Sequence, residues 1–225
     1  TKAMTTFKDI QAAAIERNGG AAALKKKLPA AKSARALKAI SDDRYLSSMS
    51  LRVFSAGLKH SMVQGKWPAF EEVFHGFEPH KVHAMSDEDL ESLMGEARII
   101  RHWGKIKSVR ANAAAILQIA EEAGGMGAWL AAWQPERTVE LWDQLSKRFT
   151  QLGGNSGPYF LRMVGKDSFN LTPYVLGALR HWSLYDGTGK GKRERAKVQE
   201  VFNALHAESG LPLCQISMTL AQSVD

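Results

Sequence analysis

Apolar positions along this chain fall three and four residues apart, in runs separated by glycine, proline and short polar stretches. No run alternates cleanly between apolar and polar residues, so the pattern predicts an all-α protein. Helices are expected over residues 6–17, closed by Asn18-Gly19-Gly20, and over 21–28, stopped at Pro29, with helix resuming over 30–40. Asp42 and Asp43 offer an N-cap for a helix over 45–61, whose apolar face carries Leu46, Met49, Val53, Phe54 and Leu58. Lys66-Trp67-Pro68 opens a helix over 69–74, with the proline near its first position. Pro79 opens a short segment over 80–85, and Ser86-Asp87-Glu88-Asp89 starts a helix with Leu90, Leu93 and Met94 as its buried stripe. The longest helical pattern runs over 98–119, with Gly104 as a candidate break and Gly124-Gly125 as its end. Trp129 and Trp133 share one face of the next helix. Further helices are expected over 171–182, 193–209 and 216–222, with a flexible loop at 186–191.

The stretch over 143–164 stands apart. Leu141, Trp142, Leu145 and Phe149 give an amphipathic run, Gly153-Gly154-Asn155-Ser156-Gly157 interrupts it, and Pro158 leads into Tyr159, Phe160, Leu161, Met163 and Val164. This reads as helix, tight glycine hairpin, helix. Glycines let the backbone approach another molecule closely. The unpaired N–H groups of the second helix's first turn, with the positive end of its dipole behind them, suit a phosphate. An ordinary loop between two core helices is the alternative.

The 225 residues suffice for one sizeable core or two small lobes, and a single domain over 1–225 is expected. The net charge of +7 is concentrated in residues 1–40, which hold nine Lys/Arg against two Asp/Glu, while residues 41–225 balance. Such a basic segment fits nucleic acid or another anionic surface, or simply a solubilising terminus. The one cysteine, Cys214, excludes an internal disulfide and a four-cysteine zinc site. No apolar run spans a bilayer and no signal peptide is recognised, so a cytoplasmic address and no membrane contact are expected.

Arg98, Arg101, Lys105, Lys107 and Arg110, with His102 and Trp103, form a basic cluster free of acids. It offers a phosphate-contacting surface or a solvated helix face. His75, His80 and His83 lie close in sequence but without metal-ligand spacing, so no metal is expected. Gly187-Thr188-Gly189-Lys190-Gly191 lacks a P-loop's spacing, and no Ser-His-Asp pattern or dinucleotide fingerprint is present.

Four ordered landmarks carry a family resemblance: Ser55-Ala56-Gly57-Leu58, Lys66-Trp67-Pro68-Ala69-Phe70, Ile99-Ile100-Arg101-His102-Trp103-Gly104-Lys105-Ile106, and Asn112-Ala113. Together they resemble bacterial DNA-3-methyladenine glycosylase I, and the hairpin at 152–157 resembles the helix-hairpin-helix of the wider glycosylase superfamily. The resemblance covers roughly residues 42–182. It implies an all-α unit with two lobes around a cleft and base-excision repair of alkylated DNA, without a cofactor. The partner it implies is double-stranded DNA with alkylated or abasic sites, bound by a monomer.

The hairpin residues Gly153, Gly154, Asn155, Ser156 and Gly157 are expected to contact DNA, and the basic cluster adds Arg101 and Lys105. By the same resemblance, Tyr45, Arg52, His60 and Trp67 fall in the pocket for the base, with Trp103 and Tyr159 as further stacking candidates. Arg52 and His60 stand where the family has Glu and Trp, and no residues match its zinc ligands. The segment after the second hairpin helix, where many relatives place a catalytic Asp, reads Phe169-Asn170-Leu171-Thr172-Pro173-Tyr174. Tyr174 and Asp167 are therefore the catalytic candidates, Asp167 also fitting a plain capping role. The leading expectation is a monofunctional glycosylase that uses water to release an alkylated purine such as 3-methyladenine. The alternative is a catalytically weak or inactive protein of the same fold that binds damaged or distorted DNA.

Overall fold

The structure, a computed structural model, describes residues 4–225. Its elements are helical throughout: α1 (Phe7–Arg17), α2 (Ala21–Lys27), α3 (Ala34–Ala39), α4 (Asp42–Ser55), α5 (His60–Val73), α6 (Pro79–His83) and α7 (Asp87–Ser92) come first. They are followed by α8 (Trp103–Ala123), α9 (Met126–Ala131), α10 (Thr138–Arg148), α11 (Ser156–Val164), α12 (Pro173–His181), α13 (Lys192–Ser209) and α14 (Leu213–Gln222). Among the described residues none forms a strand, and no helix is long and apolar enough to cross a membrane.

Local chemistry explains most helix starts. Thr6 and Asp9 close a reciprocal capping box on α1, and Ser86 and Asp89 do the same on α7. Ser33 caps α3, and residues 30–33 before it are not helical, contrary to expectation. The helix expected over 45–61 is two helices. It starts earlier, at Asp42 after Ser41, and ends at Ser55, which leaves Leu58 exposed. The Asp42 carboxylate accepts from the Met126 N–H at 2.9 Å and so caps α9 instead. Pro68 does not open a helix but lies inside α5. The hydrogen bond it forfeits is offset by its aromatic neighbours. Trp67 stacks on Phe70 at 4.5 Å and on Phe77 at 5.3 Å, and Phe70 meets Phe54 at 4.6 Å. Each of these phenylalanines is fully buried and contributes about 1.5–3 kcal/mol. Met94, expected inside, is exposed, whereas Leu90 and Leu93 are buried.

The chain divides into two compact units. One comprises residues up to Ala31, Gln134–Leu141 and Asp167–Asp225; the other comprises Lys32–Trp133 and Trp142–Lys166. In the first, Phe169 and Phe202 stack at 3.9 Å in a core with Ile10, Leu213, Ile216 and Leu220. In the second, α4 packs on α8, α5 and α11, and α3 packs on α9. Gly127 makes that last contact feasible, since a Cβ there would sit 2.2 Å from the Leu37 carbonyl oxygen.

Candidate functional site

The hairpin is formed as its sequence predicts. Leu145, Phe149 and Leu152 are buried ahead of the turn, and Phe160, Leu161 and Val164 behind it. Gln151 and Gly154 take left-handed backbone angles, φ 65° and 60°, and reverse the chain. Gly153, Gly154 and Asn155 are exposed, and Asn155 precedes the first turn of α11. The Ser156 N–H donates to the Gly153 carbonyl, and the Tyr159 N–H to that of Asn155. Gly157, placed by the sequence among the DNA contacts, is buried: a Cβ would come within 3.1 Å of the Leu152 carbonyl oxygen. It serves the packing of the turn instead.

The turn is anchored from α8. Asn112, almost wholly buried, donates through Nδ2 to the Thr150 carbonyl at 3.1 Å and accepts from the Thr150 N–H at 2.7 Å. Arg148 adds a two-bond ion pair to Glu122 at 2.8 and 2.7 Å. Sequence reading gave Asn112 no role in the hairpin. The available signal is an amide on the mostly apolar buried face of α8, beside Val109, Ala113 and Ile116.

The basic cluster does not act as one surface. Arg98 pairs with Glu72 at 2.7 Å and Glu96 at 2.9 Å, and Arg110 with Asp87 at 2.7 Å. Lys107 lies 5.3 Å over the Trp103 ring. Arg101 is exposed and makes no ion pair among the described residues. Lys105, expected on phosphate, is half-buried, and its Nζ donates to the carbonyls of Ala56 at 3.1 Å and Phe54 at 3.4 Å, at the end of α4.

Lys105 is thereby held at the end of α4, whose last turn carries Arg52. Burial, and then the charge of Arg52, holds the Lys105 ammonium below its usual value. Burial likewise lowers Arg52. The Arg52 guanidinium lies 5.4 Å from the centre of the Tyr159 ring on α11, and its buried Nε has no hydrogen-bond partner. The structure thus brings together Arg52, Lys105 and Tyr159. His60 is not part of this group: it is exposed at the start of α5, and its ring makes no hydrogen bond among the described residues.

Two pocket candidates are committed elsewhere. Tyr45 is fully buried and donates its hydroxyl to the Leu37 carbonyl at 2.6 Å, so it is a core residue. Trp67 donates to Ser47 Oγ at 2.9 Å, Ser47 to Glu71 at 2.7 Å, and Glu71 accepts two bonds from Arg44. Its stacked ring and this network make it a packing residue. Of the catalytic candidates, Asp167 has both oxygens occupied: they accept from the N–H groups of Leu213 and Cys214, each at 2.9 Å. It caps α14, the plain capping role that its place in the sequence also fits. Tyr174 is exposed on the first turn of α12, after the N-cap Thr172. Among the described residues no group of three or more His, Cys, Asp or Glu could hold a metal ion.

Comparison with known proteins gives this geometry a context. A 64-residue stretch is 47% identical to DNA-3-methyladenine glycosylase 1 of Escherichia coli, and 62 residues are 36% identical to DNA-3-methyladenine glycosylase of Haemophilus influenzae. Each match covers 28% of this chain and 34% of the relative, so the chain matches about a third of the length of these relatives. The fold is similar to that of 3-methyladenine DNA glycosylase I from Staphylococcus aureus, with a TM-score of 0.52 at 23% identity over 59% of this chain and 81% of that one. It is also similar to the 8-oxoguanine glycosylase/lyase of Methanocaldococcus jannaschii solved with a 15mer DNA containing 8-oxoguanine. That match has a TM-score of 0.50 at 14% identity and covers 95% of this chain and 94% of that one. The profile of the methyladenine glycosylases matches residues 36–152, a span that runs from α3 through the Asn112 brace to Leu152 at the edge of the turn. With more than half of its length within that profile, the chain belongs to the methyladenine glycosylase family.

Proposed function

We propose that this protein is a monofunctional DNA glycosylase that hydrolyses the N-glycosidic bond of alkylated purines, the class to which 3-methyladenine belongs, in duplex DNA. It acts as a monomer in the cytoplasm, without a cofactor, and leaves an abasic site. The observation that carries this reading is the exposed Gly153–Asn155 turn at the head of α11, braced by Asn112 in a chain of this family.

A base inside a duplex must leave the stack before water can reach its glycosidic carbon, at a cost of a few kcal/mol. The hairpin offsets part of that cost. The exposed backbone N–H groups of Gly154 and Asn155, just ahead of α11 with its dipole behind them, hold a phosphate of the distorted strand. Arg101 adds an exposed charge. Tyr159 and Trp103 offer half-buried rings for stacking. Because Asp167 caps α14, the reaction proceeds without that carboxylate: water attacks as the base departs.

The test is release of free purine from methylated duplex DNA, beside binding to a duplex with one abasic site. The expected result is base release above the protein-free rate. Tight abasic binding with no released base would leave the non-enzymatic binding protein as the correct reading.

A further inference from the structure

Two other half-buried arginines of this chain each have a carboxylate: Arg110 has Asp87 and Arg148 has Glu122. Arg52 has none among the described residues. Its Nε–H is buried without an acceptor, and the cation at the same helix end, Lys105, is satisfied only by two backbone carbonyls. Two half-buried like charges at the same helix end are unfavourable unless an electron-rich group joins them. The arrangement lies close to the turn: the Tyr159 ring against which Arg52 rests belongs to the residue whose N–H bonds to Asn155.

The geometry points to Arg52 and Lys105 as the donors that select the base, and to an uncharged alkylated purine with acceptors on its major-groove edge, such as an O6-alkylated guanine, as the preferred substrate. This rests on the glycosylase reading. Arginine's planar fork matches the paired acceptors of a guanine-type edge, and a guanidinium resting on an aromatic ring favours a flat heterocycle. A phosphodiester is served as well by an exposed lysine and does not require the half-buried site. A purine alkylated at N3 or N7 is cationic within DNA and is repelled by both side chains.

The same two donors serve the chemistry that a neutral base needs. When the bond between C1′ and N9 breaks, its electron pair stays with the purine. The charge spreads over the imidazole ring to N7, where a positioned cation stabilises it. Water oxygen bonds to C1′, and the proton that water loses ends on the released base. A cationic purine leaves as a neutral molecule and gains nothing from such donors.

The experiment uses two duplexes of one sequence, one carrying O6-methylguanine and one 7-methylguanine, with the full chain and its Arg52→Met, Arg52→Glu and Lys105→Met variants. The unaltered protein is expected to release the neutral base about tenfold faster than the cationic one after subtraction of spontaneous loss. Arg52→Met and Lys105→Met should each lower the neutral rate and raise the cationic one, and Arg52→Glu should invert the order. The inference is overturned if the unaltered protein prefers 7-methylguanine. It is also overturned if Arg52→Met lowers both rates and flattens the salt dependence, the signature of a phosphate contact. Release of other alkylated purines but of neither guanine would sink this inference and leave the glycosylase reading standing; release of no purine from any alkylated duplex would sink both.

Discussion

Asn112 and Thr150 face each other as two halves of a short ladder, the side-chain amide of one pairing with both backbone groups of the other across 38 residues of chain. The pairing is buried on the asparagine side and fixes where the hairpin turn begins. Asn112→Ala leaves the Thr150 N–H and C=O without partners and should destabilise the protein by about 2–3 kcal/mol. Asn112→Asp restores an acceptor for the N–H but sets a carboxylate against the carbonyl, so it should rescue little. Urea unfolding gives the stability, and duplex affinity of the folded fraction gives the consequence for the turn. An alanine variant that matches the parent in both would show that the hairpin holds itself.

Arg101 and Arg98 are three residues apart but differ in their partners. Arg98 is held by Glu72 and Glu96, while Arg101 is exposed and unpaired among the described residues. Arg101→Ala should reduce the slope of log affinity against log salt by about 0.9, the loss of one phosphate contact. Arg98→Ala should leave the slope unchanged. Equal effects would mean that the ion pairs of Arg98 yield to DNA.

Asp167 tests the separation of capping from catalysis. Asp167→Ala removes the acceptor for two N–H groups of α14 and should cost about 0.5–2 kcal/mol. Base release per folded molecule should be nearly unchanged. Complete loss of release in a stable Asp167→Asn protein would restore the carboxylate to the chemistry.

Glu71 makes stability depend on acid. Burial pushes its carboxyl up, but the hydrogen bonds from Arg44 and Ser47 outweigh this and hold it below its ordinary value of 4.5. A carboxylate depressed in the folded state stabilises the protein above its unfolded pKa, and that stability is lost as pH falls through the folded value. The urea midpoint should therefore drop as pH is lowered below about 4.5, and less steeply in Glu71→Gln. An identical acid limb in both proteins would assign the dependence to other groups.

What was legible in the sequence was local. The capping boxes of Thr6 with Asp9 and of Ser86 with Asp89 span three residues, and the hairpin turn is five residues long. The expectations that changed depend on partners far along the chain. Asp42 looked like a cap for its own helix but serves Met126, 84 residues away. The acid-free run from Arg98 to Arg110 looked like one charged surface, yet Glu72 and Asp87 lie 26 and 23 residues before their partners. Pro68 looked like a helix start because proline's local preference is strong, and aromatic packing overrode it. Arg52 stands out in the sequence as a departure from the family, but its unpaired Nε depends on everything that surrounds it in space.

The close seat of Gly127 on Leu37 has a consequence for how the second unit opens. Six residues, as in α3, are too few to hold a helix in water without support. What holds α3 is the side of α9, where a single hydrogen in place of a methyl lets the backbones touch, while the Tyr45 hydroxyl binds the same Leu37 carbonyl. The amides of α3 are therefore a local gauge. They exchange with solvent when α9 lifts away, and their protection reports that opening separately from unfolding of the longer helices.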